Sequence, residues 1–131
     1  MKLKEELLQA SVRQDFFKRT SNKQNEHKFE ILLVSNFDKK IMYTIRDIRL
    51  HYEPMKFIEP KGNLSFVTGY IEKDLIKRSV AFDSNEVKSI EIDFCLAFIL
   101  EDKTNNHKYA ISFRYDGQKW NVEESSYKSL K

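Results

Sequence analysis

The sequence predicts an α+β domain in which an N-terminal helix packs on a curved, mainly antiparallel sheet of about six to seven strands. Three observations support this prediction. Residues 2–19 are rich in Leu, Lys, Glu, Gln and Arg and contain neither Gly nor Pro, which favours a helix. Apolar residues alternate with a period of two from Phe29 onward. One strand changes phase near Arg46 and Asp47, which predicts a β-bulge and therefore a bent sheet.

The chain of 131 residues is expected to form a single domain, because it is long enough to bury a core without disulfides or metal. The predicted organisation is a helix at 1–19, a polar loop at 20–28, an antiparallel sheet at 29–124 and a loose tail at 125–131. The loop is assigned because the run TSNKQNEHK shows neither the helical nor the strand apolar period.

Within the sheet, strands are expected at 29–34, 41–52, 64–71, 75–82, 87–100 and 107–115, with turn-forming residues between them. Asp116-Gly117 is expected to close a hairpin that continues through Trp120 and Val122. The densest apolar alternation predicts one contiguous buried cluster. Its members are Phe94, Leu96, Phe98, Ile111, Phe113, Trp120 and Val122.

The last hairpin, Tyr109–Val122 with the sequence YAISFRYDGQKWNV, resembles the closing hairpin of cone-shaped NTF2-like domains. Those domains also begin with a helix that lies in a curved sheet. The resemblance covers only this C-terminal stretch, and it implies a pocket enclosed by the sheet. It assigns no functional residue to this chain.

Composition excludes several classes of protein. Hydrophobic residues make up 40% and charged residues 33%, which fits neither a disordered chain nor a membrane protein. With 23 basic and 20 acidic residues, the net charge of +3 is too small to indicate nucleic-acid binding by bulk charge. The single cysteine, Cys95, excludes an internal disulfide and a cysteine-cluster zinc site. The N-terminus has no apolar run typical of a signal peptide, so the expected location is the cytoplasm.

Candidate catalytic and metal-binding residues are weak in this sequence. Glu91 and Asp93 would share one face of a strand, where two carboxylates could hold a divalent ion, but a solvated sheet face is the favoured interpretation. His27, His51 and His107 lie near polar turns and are interpreted as surface residues. Cys95 is interpreted as a buried small hydrophobe. We therefore expect no enzyme activity, no metal and no cofactor.

The expected function is that of a non-enzymatic protein-binding module, such as an inhibitor or accessory factor of a bacterial or mobile-element system. Leu8, Val12 and Phe16 form an i, i+4, i+8 row on the predicted helix, opposite a second apolar stripe. This row is predicted to contact a protein partner or a second copy of the chain.

Two alternative functions remain open. The first is a small-ligand-binding domain with a pocket in a curved sheet, as in an NTF2-like cone. The second is a single-stranded nucleic-acid binder, with contacts from Lys18, Arg19, Arg46 and Arg49 and with aromatic platforms nearby.

Overall fold

The computed structural model describes residues 8–14, 26–36, 39–52, 56–58, 60, 66–73, 75–83, 90–123, 126 and 128–129. Over these residues the protein is all-β, with two antiparallel sheets and no helix. The strands are β1 (Leu8–Gln14), β2 (Glu26–Ser35), β3 (Ile41–Tyr52), β4 (Lys56–Ile58), β5 (Phe66–Ile71), β6 (Leu75–Asp83), β7 (Cys95–Asp102), β8 (His107–Tyr115), β9 (Trp120–Val122) and β10 (Lys128–Ser129).

The smaller sheet has the order β1-β2-β6. In the larger sheet β3, β7 and β8 lie side by side, β4 and β5 pair with the other edge of β3, and β9 and β10 pair with the other edge of β8. Consecutive strands β2 and β3 therefore belong to different sheets, as do β5 and β6. The sheet of β1, β2 and β6 packs against the sheet built around β3, β7 and β8. This arrangement is that of an immunoglobulin-like β-sandwich.

The predicted N-terminal helix is wrong, because residues 8–14 form β1 and pair with β2. Leu8 and Val12 are only 2% and 7% exposed and face the core, while Ser11 and Arg13 are exposed. Helix propensities differ by only a few tenths of a kcal/mol per residue, about 0.7 at most among ordinary residues. Burial of two apolar side chains against the core outweighs that preference, so tertiary packing decides this segment. The fold class is therefore all-β, and not α+β.

Three predicted boundaries also change. β2 begins at Glu26, inside the predicted loop, and β10 lies inside the predicted tail. The predicted strand 87–100 contains a turn at Ile92 and Asp93, where Asp93 has φ 75°, and β7 starts only at Cys95. Long apolar alternation alone does not indicate where strand pairing begins, since pairing depends on the partner strand.

The predicted bulge is confirmed. The register between β3 and β7 shifts between Arg46 and Arg49, and Asp47 within this shift has a positive φ of 55°. The extra residue keeps Ile45 and Ile48 both in the core, at 0% and 2% exposure. The change of phase in the sequence thus marks the place where the strand bends.

The core lies between the two sheets. All seven residues of the predicted cluster belong to it, six of them buried and Val122 packed against them at partial exposure. Phe29 of β2 contacts Phe82 and Trp120 edge to face, with ring centroids 5.7 and 5.2 Å apart, and so joins the smaller sheet to β9. Because side chains fill the space between the sheets, the cone implied by the NTF2-like hairpin is wrong. The hairpin itself is present as β8 and β9, with Gly117 at φ 101°.

Within the described ranges, no helix has the length and apolar character needed to cross a lipid bilayer.

Candidate binding groove on the outer face of the larger sheet

The outer face of the larger sheet consists of the side chains of β3, β7 and β8 that point away from the smaller sheet. Alternation along each strand sends every second residue to this face. From β3 these include Thr44, Arg46, Arg49 and His51; from β7, Cys95, Ala97, Ile99 and Glu101; from β8, Lys108, Ala110, Ser112 and Arg114.

Small side chains create a groove in this face. Ala97 lies opposite Ser112, and Ile99 lies opposite Ala110, across the β7–β8 ladder. The short side chains leave a cavity of about 360 Å³ that is open to solvent. We call it the outer groove; its floor and walls include Asp47, Arg49, His51, Ala97, Ile99, Ala110, Ser112 and Ser126. The bulge in β3 positions one wall, because it places Asp47 and Arg49 beside the floor.

A hydrogen-bond network holds the wall on the β8 side. The backbone N–H of Ser112 donates to the hydroxyl of Ser126 at 2.9 Å, and that hydroxyl donates back to the Ser112 carbonyl at 3.1 Å. The Ser112 hydroxyl donates to Glu123 at 2.7 Å, and Arg114 Nε donates to the same carboxylate at 3.0 Å. Burial alone would raise the pKa of Glu123, but the hydrogen bonds from Ser112 and Arg114 lower it below its ordinary value.

A second charged cluster lies on the same face, beyond Ile99 and Ala110. Arg46 Nε donates to Glu101 Oε1 at 3.0 Å, and Lys108 Nζ lies 3.6 Å from Glu101 Oε2. Arg46 also pairs with Asp47. Burial would raise the pKa of Glu101, yet the hydrogen bond and charge of Arg46 lower it. Glu101 is therefore a buried carboxylate that stays ionised through its basic neighbours.

His51 and Cys95 are cross-strand partners at the β9 end of this face. Cys95 is 2% exposed, which confirms the prediction of a buried thiol, and its Sγ lies 3.8 Å from the carbonyl of Asp93. Burial raises the pKa of the Cys95 thiol. Burial and the charge of Arg114 lower the pKa of His51. Both groups therefore favour their neutral forms, which does not resemble the thiolate–imidazolium pair of a cysteine hydrolase.

The structure describes two residues of the predicted partner-binding row. Leu8 and Val12 face the core from β1, and Phe16 lies outside the described residues. The exposed helical row on which that prediction depended is absent from residues 8–14. Leu8 and Val12 therefore do not lie on an exposed helical face, and the contact of this row with a partner stays an untested prediction.

Of the residues predicted to contact nucleic acid, Lys18 and Arg19 lie outside the described residues. Arg46 and Arg49 do lie on one face, beside the outer groove. Arg46 is engaged by Glu101 and Asp47.

The other residues considered as metal ligands or catalytic groups include Glu91, Asp93 and His27. Glu91 and Asp93 are exposed in a turn. In the described part of the chain, no group of three or more His, Cys, Asp or Glu residues is placed to hold a metal ion. His27 is only 4% exposed, so its interpretation as a surface residue was wrong; it follows the inward parity of β2, shared with Phe29.

Sequence reasoning missed the outer groove. The usable signal was the small residues Ala97 in β7 and Ala110 and Ser112 in β8, which stand among mostly larger side chains. Their adjacency could not be inferred, because it depends on the register of β7 and β8.

Comparisons with known proteins identify the fold and no family. No protein-family model matches the chain, and no curated protein matches it. A solved structure that does match is the crystal structure of a FixG-related protein from Vibrio parahaemolyticus. It is 15% identical, with a TM-score of 0.55, over 86% of this chain and 98% of that one. At this identity the likeness supports the sandwich fold alone.

Proposed function

We propose that this domain is a non-enzymatic binding module that recognises a segment of another protein in the outer groove. The observation that supports the proposal is the groove itself: a concave site on three paired strands whose floor includes Ala97, Ile99 and Ala110. Ion pairs lie on the same face beyond the groove, Arg46–Glu101 on one side and Arg114–Glu123 on the other. Rigid strands with short side chains between longer polar ones provide a preformed surface, and a preformed surface reduces the entropy lost on binding.

A protein segment suits the groove better than a small ligand. Pockets for small molecules enclose most of the ligand surface, roughly 70–90%. The interior of this sandwich is filled by side chains such as Phe29, Tyr43 and Phe82, all 0% exposed. The outer groove is open to solvent, and an extended chain can lie across it and contact both walls.

A protein segment also suits the groove better than single-stranded nucleic acid. Arg46 and Arg114 are each paired with a carboxylate, Glu101 and Glu123 respectively, at 3.0 Å. A phosphate backbone along this face would have to displace these carboxylates or lie close to them. Nucleic-acid grooves instead present cations that neutralise phosphates.

The non-enzymatic part of the proposal is supported by the state of the most reactive group near the groove. Cys95 is buried and its thiol pKa is raised, so little nucleophilic thiolate forms at neutral pH. The free thiol also fits a reducing compartment, and the proposal includes action in the cytoplasm.

The test is selection of binders from a random peptide display library on three proteins: wild type, Ala110→Arg and Ser79→Arg. Ala110 is exposed on the groove floor, so an arginine there fills the groove without entering the core. Ser79 is exposed on the opposite, smaller sheet and provides a matched control. Thermal melts should show that both variants remain folded.

Peptides that are enriched on wild type and Ser79→Arg but not on Ala110→Arg support the proposal. It is overturned if no peptide is enriched on wild type, or if enriched peptides bind Ala110→Arg equally well. Binding of a thymine oligonucleotide that weakens steeply with salt and is lost in Ala110→Arg would instead indicate a nucleic-acid site.

A further inference from the structure

We propose that the outer groove accepts an aromatic side chain of the partner segment, with its ring over Ala97 and Ala110 and beside Arg49. This inference rests on the proposed function and adds the chemistry of the partner. Three features of the groove carry it: the shape of the floor, the state of its polar groups and the charge of its wall.

The floor carries two short apolar side chains, Ala97 and Ala110, beside Ile99 and Ser112. Ala97 and Ala110 present only methyl groups, and they lie diagonally across the β7–β8 ladder, because Ala97 pairs with Ser112 and Ile99 pairs with Ala110. Longer side chains, Arg49 and His51, line the groove on the β3 side. The two short side chains leave room beside the longer Arg49, His51 and Ile99, and a planar ring placed there gains contact area at a small cost in side-chain entropy.

The hydroxyl groups of the groove are already used. The Ser126 hydroxyl both accepts from and donates to the backbone of Ser112, and the Ser112 hydroxyl donates to Glu123. A hydroxyl has one proton to donate, so neither serine has a donor left for a polar ligand. The other polar side chains that line the groove, Asp47, Arg49 and His51, all lie on its β3 side, so an occupant meets apolar side chains on the floor and charged or polar ones along β3.

The β3 wall is complementary to the face of an aromatic ring. Arg49 lines the groove, and a guanidinium group stacks favourably on the negative face of an aromatic π-system. His51 lies two residues further along the same wall, and its lowered pKa favours the neutral, planar imidazole. Aromatic residues are also the anchors most often found at the centre of protein interfaces.

The experiment uses the alanine methyl groups of the full chain as reporters. The protein has four alanines: Ala97 and Ala110 on the groove floor, and Ala10 and Ala81 in the smaller sheet. N-acetyl-tryptophanamide is titrated into protein with labelled alanine methyl groups, with N-acetyl-leucinamide as the aliphatic control, and methyl NMR spectra are recorded. We expect ring-current shifts at Ala97 and Ala110 and unchanged signals from Ala10 and Ala81.

Two variants complete the test. Ala110→Arg should abolish the shift at Ala97, whereas Ser79→Arg should leave it unchanged. Arg49→Gln should weaken binding of the tryptophan probe by about two- to fivefold, the size of an exposed cation–π contact, and leave the leucine probe unaffected. The inference is overturned if the tryptophan probe leaves Ala97 and Ala110 unshifted, if it shifts all four alanines alike, or if the leucine probe binds as tightly.

The two proposals fail in distinguishable ways. If groove-dependent peptides are selected from the library but carry no shared aromatic position, the protein-binding function stands and the aromatic anchor is wrong. If the tryptophan probe binds in the groove while no peptide is selected, the anchor site is present and the proposed function is wrong.

Discussion

Arg78 in β6 donates a 2.7 Å hydrogen bond from Nε to the hydroxyl of Tyr43 in β3, and this bond joins the two sheets. Tyr43 is fully buried, and the Arg78 guanidinium carbon lies 5.9 Å from the centre of its ring. Gly69 of β5 pairs with Tyr43. A Cβ at Gly69 would lie 2.9 Å from the Tyr43 oxygen and 2.7 Å from Arg78 Nη2, so the glycine leaves room for the bond.

Tyr43→Phe should lower the free energy of unfolding by about 1–2 kcal/mol, because the bond to a charged donor is lost while the ring stays in place. Chemical denaturation of Tyr43→Phe, Arg78→Met and the double variant measures the coupling. We expect a coupling of at least about 0.5 kcal/mol. Additive effects would show that the two side chains contribute independently.

Gly69→Ala should destabilise the fold by about 1–3 kcal/mol, since the new methyl group overlaps the Tyr43 hydroxyl. The rigid phenol ring cannot withdraw, so Arg78 must move and its bond breaks. The loss should be smaller in a Tyr43→Phe background, which removes the overlapping oxygen. Ser79→Ala on an exposed strand position is the control and should change stability by less than about 0.5 kcal/mol. Equal losses in both backgrounds would contradict this explanation.

Ser126→Ala should leave the backbone N–H of Ser112 in β8 without its hydrogen-bond acceptor. The Ser126 hydroxyl takes the place of a neighbouring strand for the Ser112 N–H, at 2.9 Å. Its removal should cost about 1–3 kcal/mol, the penalty of an unsatisfied buried donor. Hydrogen exchange should accelerate at the Ser112 amide more than at Phe98 or Leu100 in β7. The exposed Ser11→Ala should alter neither stability nor exchange, and an unchanged Ser112 amide in Ser126→Ala would refute the assignment.

The turn after β8 should contain an unusually acidic carboxyl group. Asp116 accepts hydrogen bonds from the backbone N–H groups of Lys119 and Gln118 at 2.9 and 2.8 Å and from the Asn121 side chain at 2.8 Å. These bonds lower the pKa of Asp116 to about 2. In the unfolded chain its pKa is about 3.9. The folded pKa is the lower one, so this group stabilises the fold above the unfolded pKa, and the contribution is lost as pH falls through about 2.

An NMR titration of the Asp116 carboxyl carbon measures this value directly. Asn121→Ala should raise the pKa, because one of three donors to the carboxylate is removed. Lys40→Ala, far from this turn along the chain, should leave the Asp116 titration unchanged. A normal pKa in the wild-type protein would show that the turn does not hold the carboxylate.

Local patterns in the sequence were enough to predict much of the larger sheet. The phase change between Ile45 and Ile48 indicated the bulge, and Asp116-Gly117 indicated the last hairpin. The apolar alternation in β7, β8 and β9 indicated which side chains form the core. Each of these features depends on residues close together in the chain, where side-chain period and turn chemistry act directly.

By itself, then, the sequence determined β3, β5, β8 and β9 in outline, the bulge and the inward-facing residues of the last hairpin, because strand alternation and turn preference are local properties. It did not determine the start of β7 or the presence of β10. Only the tertiary structure decided that Leu8 and Val12 belong to a strand, and that Ala97 and Ala110 lie diagonally across the β7–β8 ladder in the floor of a groove. Leu8 and Val12 lie in a strand because the free energy gained by burying their side chains against the core exceeds the weak helical preference of this segment. The placement of the two alanines depends on the register of two paired strands, because a shift of one strand by one residue would send its alanine to the opposite face and separate it from the other alanine.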